Sequence, residues 1–592
     1  LRRFIDRWSA KGNRFLVTCR VLDYGEELSG LRRVEVLPLN DSQIKTFLGN
    51  ELPENWEDLW EALTEGEEEK RRLLDMARNP YLLTMMIDVF VEDGELGGNR
   101  AELMERFTQI LIAWARDKFP KERWLDADVQ REALSILAFE MQDRPDSGTE
   151  VKKYEIENLL PEKIQPGRLL IPSPPMDDVL TLAAGARLIE KPVDRSTVRI
   201  YHQWLQEYFA AHQMLKRDPN SLAELWRWPW LEADMPLWVR PEDNYDPLPP
   251  PPPTGWEETT ILAAGLAAEN DDQLVRALIR INPVLAGRCL TEGQAKVDPD
   301  ARQTVIDALL STIARPEVAL RVRIVAGETL GYLDDPRLGE MVVVRDGKFL
   351  MGDDKGEYED EKPQHEIYLP AYRFGKYPVT NTEYRRFIEA GGYRESDWWT
   401  EAGWEEVGSQ RSEPWYWDDN RFNKPNQPVV GVSWYECLAY CRWLSTETGQ
   451  TYRLPTEADW EKGARGVDGW QYPWGDDFEA SRLNANEGEQ MVRATTPVGI
   501  YSNGISPFDA FDCAGNVWEW CATRAPEWEF KSYPYDATED EWSDDYLAGK
   551  DVRVLRGGSW GRGQDVARCA FRFRSDPGFR YYYLGFRLVS PI

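Results

Sequence analysis

A chain of 592 residues has room for about three to five domains of ordinary size. Its formal net charge of −32 excludes a general affinity for nucleic acid or anionic membrane, both of which call for positive surface. No run reaches the ~18 consecutive apolar residues of a membrane helix, the opening Leu1-Arg2-Arg3-Phe4 has no signal-peptide pattern, and seven cysteines without paired spacing exclude a disulfide framework, so the expected location is cytoplasmic.

From the N-terminus, Phe15-Leu16-Val17-Thr18-Cys19-Arg20 is a short apolar run ending in polar residues, as in a buried parallel strand whose tip meets a ligand crevice. Val36 to Asp41, Arg78-Asn79-Pro80-Tyr81-Leu82-Leu83 and Tyr201-His202-Gln203-Trp204 through Ala211 follow in order. Together they resemble NACHT-type signal-transducing NTPases. The resemblance implies the C-terminal part of an NTPase core with a helical lid over 1–100, a winged-helix-like region over 101–216, and nucleotide-sensing roles for Arg20 and His202. The alternative readings are a strand-end surface Arg20 and a helix-face His202 satisfied by the core. No Gly-x-x-x-x-Gly-Lys-Ser/Thr loop occurs to cradle phosphates, so ATP or ADP is expected as a ligand only of a longer protein, and this chain is not expected to hydrolyse ATP.

Residues 217–256 are rich in Trp and Pro and include the run Pro249 to Pro253, which suits an extended linker. Over 257–337 the apolar spacing is helical, through Ile261, Leu262, Leu266, Leu274, Leu278, Val305 and Leu309. Glu317 to Asp335 resembles a HEAT-type repeat, which implies a stacked helical spacer.

Of the 26 tryptophans, 15 follow residue 338, which marks a separate loop-rich domain pinned by large side chains. Phe349-Leu350-Met351-Gly352, Gly431-Val432-Ser433-Trp434, Arg453-Leu454-Pro455-Thr456-Glu457, Tyr472-Pro473-Trp474-Gly475 and Gly515-Asn516-Val517-Trp518-Glu519-Trp520 stand in the order of formylglycine-generating-enzyme-like domains, a variant of the C-type lectin fold. The resemblance covers 338–592. The expected fold class is therefore multidomain: α/β and α-helical modules followed by an α+β C-type-lectin-like domain.

The oxidase that gives the family its name uses two cysteines after Arg-Gly-Gly-Ser to hold copper. This chain has only Cys569 there, while Cys437, Cys441, Cys513 and Cys521 read as small core residues. His202, His212 and His365 are the only histidines and fall in two domains, which excludes a three-histidine iron site. His365 is expected to pack structurally. The family resemblance implies a calcium site at Asn484, Asn516, the Val517 carbonyl and Glu519; a metal-free loop pinned by Trp518 and Trp520 stands beside it as the alternative.

The last segment, about 554–589, runs from Val554-Leu555-Arg556-Gly557-Gly558-Ser559-Trp560 to Leu584-Gly585-Phe586-Arg587 and alternates Arg with aromatics. It resembles the variable region of proteins diversified by retroelements. By that pattern Gly563, Asp565, Ala567, Cys569, Phe571, Phe573, Ser575, Asp576, Phe579, Tyr581, Tyr582 and Tyr583 are the ligand-binding variable positions, and the Arg, Gly and Pro between them are scaffold. Phe571, Phe573, Phe579 and Tyr581 to Tyr583 are expected on one exposed face, where Tyr gives rigid contact area at low entropy cost. The expected function is recognition of a protein or other macromolecular ligand, without catalysis, in the sensor part of a NACHT protein. The competing expectation is a formylglycine-type oxidase or related modifying enzyme.

Overall fold

The computed structural model describes residues 38–64, 73–74, 76–144, 150–190, 197–228, 247–268, 271–488, 491–539 and 541–592. Arg20 and the strand expected at Phe15 to Arg20 lie outside the described residues. The described residues divide into two compact units, those of 38–228 with 252–305, and those of 247–251 with 306–592.

The first unit is helical. Its principal helices are α1 (Arg100–Arg116), α2 (Ala127–Gln142), α3 (Gln203–Met214), α4 (Glu257–Leu266) and α5 (Pro283–Thr291). Asn99 and Asp126 start α1 and α2 by accepting a backbone N–H with the side chain, as N-cap residues do. Both helices turn apolar stripes inward, Leu103, Met104 and Phe107 on α1 and Leu134, Leu137 and Phe139 on α2. Gln142 joins α2 to α4 by donating to Thr259 at 2.8 Å, and Trp226 donates to Thr260 at 3.0 Å. Beside them, β1 (Glu150–Lys152), β2 (Ile189–Glu190) and β3 (Thr197–Ile200) form a small antiparallel sheet with β3 central.

The second unit begins within the region expected to be helical repeats. Helix α6 (Leu320–Gly331) is packed against loops of the C-terminal domain. Arg323 donates to the Ile500 carbonyl at 2.6 Å, and Asn426 donates to that of Gly327 at 2.7 Å. A Cβ on Gly327 would lie 2.8 Å from both Pro497 and Ile500, so only glycine permits the approach. This packing was invisible to periodicity because the partner surface is irregular loop.

The C-terminal domain is α+β with short strands. β4 (Met341–Val344), β7 (Tyr372–Gly375) and β12 (Val589–Pro591) form one antiparallel sheet with β7 central, and β5 (Gly347–Met351) pairs with β6 (His365–Leu369). In the other sheet β8 (Trp518–Arg524) lies between β9 (Arg553–Arg556) and β11 (Leu584–Gly585), with β10 (Phe573–Ser575) outside β9; only β8 and β11 run parallel.

Three helices, α7 (Asn381–Glu389), α8 (Trp434–Thr448) and α9 (Glu457–Arg465), all open with a reciprocal capping box, Thr380 with Glu383, Ser433 with Glu436 and Thr456 with Asp459. Trp434, Trp460 and Trp520 are fully buried, and each indole N–H has an acceptor: the Cys521 carbonyl, Glu519 and the Val432 carbonyl. Large apolar area with a satisfied polar tip is what lets tryptophan pin irregular backbone.

Candidate ligand-recognition face

Segment 554–589 leaves β9 through Gly557 and Gly558, both left-handed at φ 97° and 74°. A Cβ on Gly557 would stand 3.0 Å from the Trp460 ring, and one on Gly558 3.0 Å from the Val566 carbonyl, so the glycine pair fixes how the segment enters.

Five of its arginines end on buried carboxylates from elsewhere in the domain. Arg556 meets Glu461. Arg568 donates to both oxygens of Glu361 at 2.8 Å and to Asp353 at 3.2 Å. Arg572 forks onto Glu457, and Arg587 onto Glu519 at 2.8 and 3.0 Å. Arg580 donates to Glu436 at 3.0 Å, to the same oxygen that caps α8. The side chains of all five glutamates are wholly excluded from solvent. Bidentate pairing is the geometry in which a guanidinium and a carboxylate best offset each other's desolvation. Burial alone lowers the Arg556 and Arg587 guanidiniums, yet neighbouring negative charge holds both above their ordinary range. Arg553 is the contrast: it donates to the Ala522 carbonyl at 2.8 Å and lies 3.9 Å from the Trp434 ring centroid, and burial followed by the nearby Arg524 charge brings it down to about 10.

The variable positions fall into three groups between these anchors. Asp565, Phe573, Asp576 and Phe579 are exposed, with Phe573 at 38% and Phe579 at 43%. Gly563, Phe571, Tyr581, Tyr582 and Tyr583 are half-buried. Ala567, Cys569 and Ser575 are buried and offer no side-chain surface. The six aromatics expected on one exposed face therefore form two patches, several rings being half sunk because they also close the hydrophobic core beneath. Phe579 stacks on Tyr581 at 5.9 Å, and Tyr582 lies parallel to Phe422 at 5.8 Å and 5.5 Å from Trp560. Phe571 and Phe573 instead pack on Trp518 at 5.9 and 5.2 Å, with Tyr358 edge-on to Phe571.

Sequence reasoning missed Tyr416, Phe422 and Tyr358, which complete the two patches. The dense run Trp415-Tyr416-Trp417 was the available signal. Tyr416 meets Tyr582 edge-on at 5.7 Å, and its loop, residues 409–419, lines an open cleft of about 720 Å³.

The chemistry-bearing residues lie elsewhere. Cys569 is sealed, its backbone N–H donates to the Gln471 carbonyl at 2.8 Å, and burial pushes its thiol up to about 12. Burial also raises the thiols of Cys437, Cys441, Cys513 and Cys521, which opposes thiolate formation. His365 bonds the Pro363 carbonyl through Nδ1 at 2.9 Å and accepts the Tyr535 N–H through Nε2 at 2.8 Å, a packing role. His202 caps α3 by accepting the Trp204 N–H and stacks on Tyr81 at 4.1 Å.

The residues considered for calcium are committed to protein partners. Asn516 Oδ1 accepts N–H groups from Asn484 and Thr496, and both Glu519 oxygens serve Arg587, one of them also Trp460. Of these side-chain oxygens only the buried Asn484 Oδ1 lacks a donor, so that with the Val517 carbonyl at most two oxygens of the set are open, against the roughly six to eight that a calcium ion takes. As arranged, this set does not fit a calcium ion. Among the described residues no helix is long and apolar enough to cross a membrane.

Residues 332–592 match the model of the sulfatase-modifying factor enzyme 1-like domain. The chain is 35% identical over 279 residues to a hercynine oxygenase of Mycolicibacterium thermoresistibile, a match covering 42% of this chain and 58% of that protein. The chain thus spans under two thirds of the length of that relative. It is 32% identical over 306 residues to the inactive C-alpha-formylglycine-generating enzyme 2 of Mus musculus, covering 44% of this chain and 88% of that one. Among solved structures, variable protein 1 of Treponema denticola aligns with 22% identity and a TM-score of 0.31 over 43% of this chain and 95% of its own.

Proposed function

From residue 332 to 592 the chain belongs to the sulfatase-modifying factor enzyme 1-like family, and from that premise we propose that it is a binding member in which segment 554–589 recognises a protein or other macromolecular ligand. The carrying observation is the division of labour within that segment. Five of its seven arginines end on buried glutamates, while Asp565, Phe573, Asp576 and Phe579 between them are exposed. Side chains that stabilise the segment are thus distinct from those that can meet a partner. That separation suits a surface able to change its contacts without losing its backbone, as the resemblance to retroelement-diversified proteins implies. Sealed thiols at Cys569 and its neighbour Cys513, both raised by burial, support recognition over formylglycine-type oxidation. The mouse relative's name, an inactive enzyme of this family, accords with a member that does not catalyse. The helical first unit is the arm of a NACHT-type sensor in this reading, supported by the ordered sequence motifs.

A display library of the full chain, randomised at Asp565, Phe573, Asp576, Phe579, Tyr581 and Tyr582, tests the proposal. Selection against two unrelated purified proteins should give folded binders whose changes lie at these sites. A library that is mostly unfolded sinks the reading. So does oxidation of a cysteine-containing peptide by the purified chain that disappears on Cys569→Ala.

A further inference from the structure

The cleft in loop 409–419 carries chemistry that the variable positions do not. Its wall includes Trp415, Tyr416 and Trp417, with Arg411, Glu413 and Asp418 among the same eleven residues. Asp419 is held by Arg421 at 2.6 Å, but Glu413 and Asp418 form no ion pair among the described residues. Burial, and then the Asp418 charge, push the Glu413 carboxyl up, and Arg385 offsets this only in part. The two carboxylates share the cleft with three aromatic rings, and the guanidiniums nearby lie over those rings without an ion pair to either carboxylate among the described residues.

The rings already show which cation suits them. The Arg411 guanidinium lies 4.9 Å from the Trp415 ring centroid and that of Arg580 5.6 Å from it, and Arg385 lies 5.1 Å from Trp417. Planar guanidinium stacks on indole and can bond a carboxylate through a second edge, which a compact ammonium does less well. Tyr416 joins the cleft to the exposed aromatics through Tyr581 and Tyr582, at 6.4 and 5.7 Å. A chain of net charge −32 also draws a positively charged partner.

We propose that this cleft seats the guanidinium of an arginine presented by a protein partner, an inference that rests on reading the adjoining face as a recognition surface. Glu413 and Asp418 supply the charge and Trp415 and Trp417 the stacking faces. Arg411 is the resident that an incoming arginine displaces.

The test is saturation-transfer NMR on the full chain with N-acetyl-arginine amide, using N-acetyl-norleucine amide as the neutral control. The arginine probe should bind saturably and the norleucine probe should not. Glu413→Gln with Asp418→Asn, near-isosteric changes that leave the loop its shape, should weaken the arginine probe about tenfold. Arg411→Ala should strengthen it, and Tyr368→Ser, which removes an exposed ring outside the cleft lining, should leave it unchanged. Equal binding of both probes, or an unaltered affinity in the carboxamide variant, overturns the inference. If the arginine probe fails while selected binders still depend on Tyr582, the cleft inference alone falls; if the probe binds but no binder can be selected, the recognition face falls and the cleft stands.

Discussion

Arg572 and Glu457 meet through two parallel hydrogen bonds, one of them 2.9 Å long from Nε, with 1% and 0% of their side-chain surfaces exposed. The pair ties the segment before β10 to the first residue of α9, 115 positions away. Removing one partner strands the other charge in the interior. Arg572→Ala or Glu457→Gln should therefore cost about 3 to 5 kcal/mol in chemical denaturation of the full chain. A loss near zero would show that the anchors do not hold the segment.

Substitutions on the recognition face should divide by depth. Phe573→Ser and Phe579→Ser remove rings that are already 38% and 43% exposed, and each should shift stability by no more than about 0.5 to 1 kcal/mol. Tyr582→Ser breaks stacking with Phe422 and Trp560 and should cost about 1 to 2 kcal/mol. Trp460→Ala, in the core, should cost about 3 to 5 kcal/mol. Denaturation midpoints that reverse this order would mean that the exposed rings are structural.

Asp512 is buried, and desolvation raises its carboxyl from 3.8 to about 6, although the Gly499 N–H and the Arg587 charge pull the other way. A carboxyl raised on folding binds its proton more tightly in the native state. Its contribution is fully present below 3.8 and is lost as pH rises through about 6. Relative to Asp512→Asn, the wild-type chain should therefore gain stability as pH falls across that window, by about 2 to 3 kcal/mol. Parallel stability curves for the two proteins between those values would refute the assignment.

Chelation tests the metal-free reading of the Asn516 loop. With Glu519 shared by Arg587 and Trp460, added EDTA should leave the melting temperature of the full chain unchanged, and added calcium should not raise it. A calcium-dependent rise would show that this hydrogen-bond network rearranges to admit the ion.

Sequence made one half of each anchor legible. The arginines of 554–589 stood out as scaffold because they alternate with aromatics and lie between Gly-Gly-Ser-Trp and Gly-Phe-Arg. Their partners did not, since Glu361 is 207 positions from Arg568 and Glu519 is 68 from Arg587, and no local pattern marks a glutamate as buried. Glu436 was the deceptive case: the Ser433-x-x-Glu436 spacing explains it fully as a capping box, and the same carboxylate also receives Arg580. The buried Ala567 and Cys569 could not be told from their exposed neighbours, because the chain there follows irregular turns and not a strand with fixed alternation. Tyr416 and Phe422 reach the face from a loop about 160 positions earlier, a juxtaposition that only the fold creates.

The anchoring also limits what can be transplanted. Moved into another host, residues 554–589 would bring five guanidiniums without Asp353, Glu361, Glu436, Glu457, Glu461 or Glu519 to receive them, and each would seek water or a wrong partner. No portable piece can therefore be shorter than Asp353 to Arg587, and because β4, β5 and β12 close the sheets on either side of that stretch, an engineer wishing to borrow the binding face must borrow the domain with it.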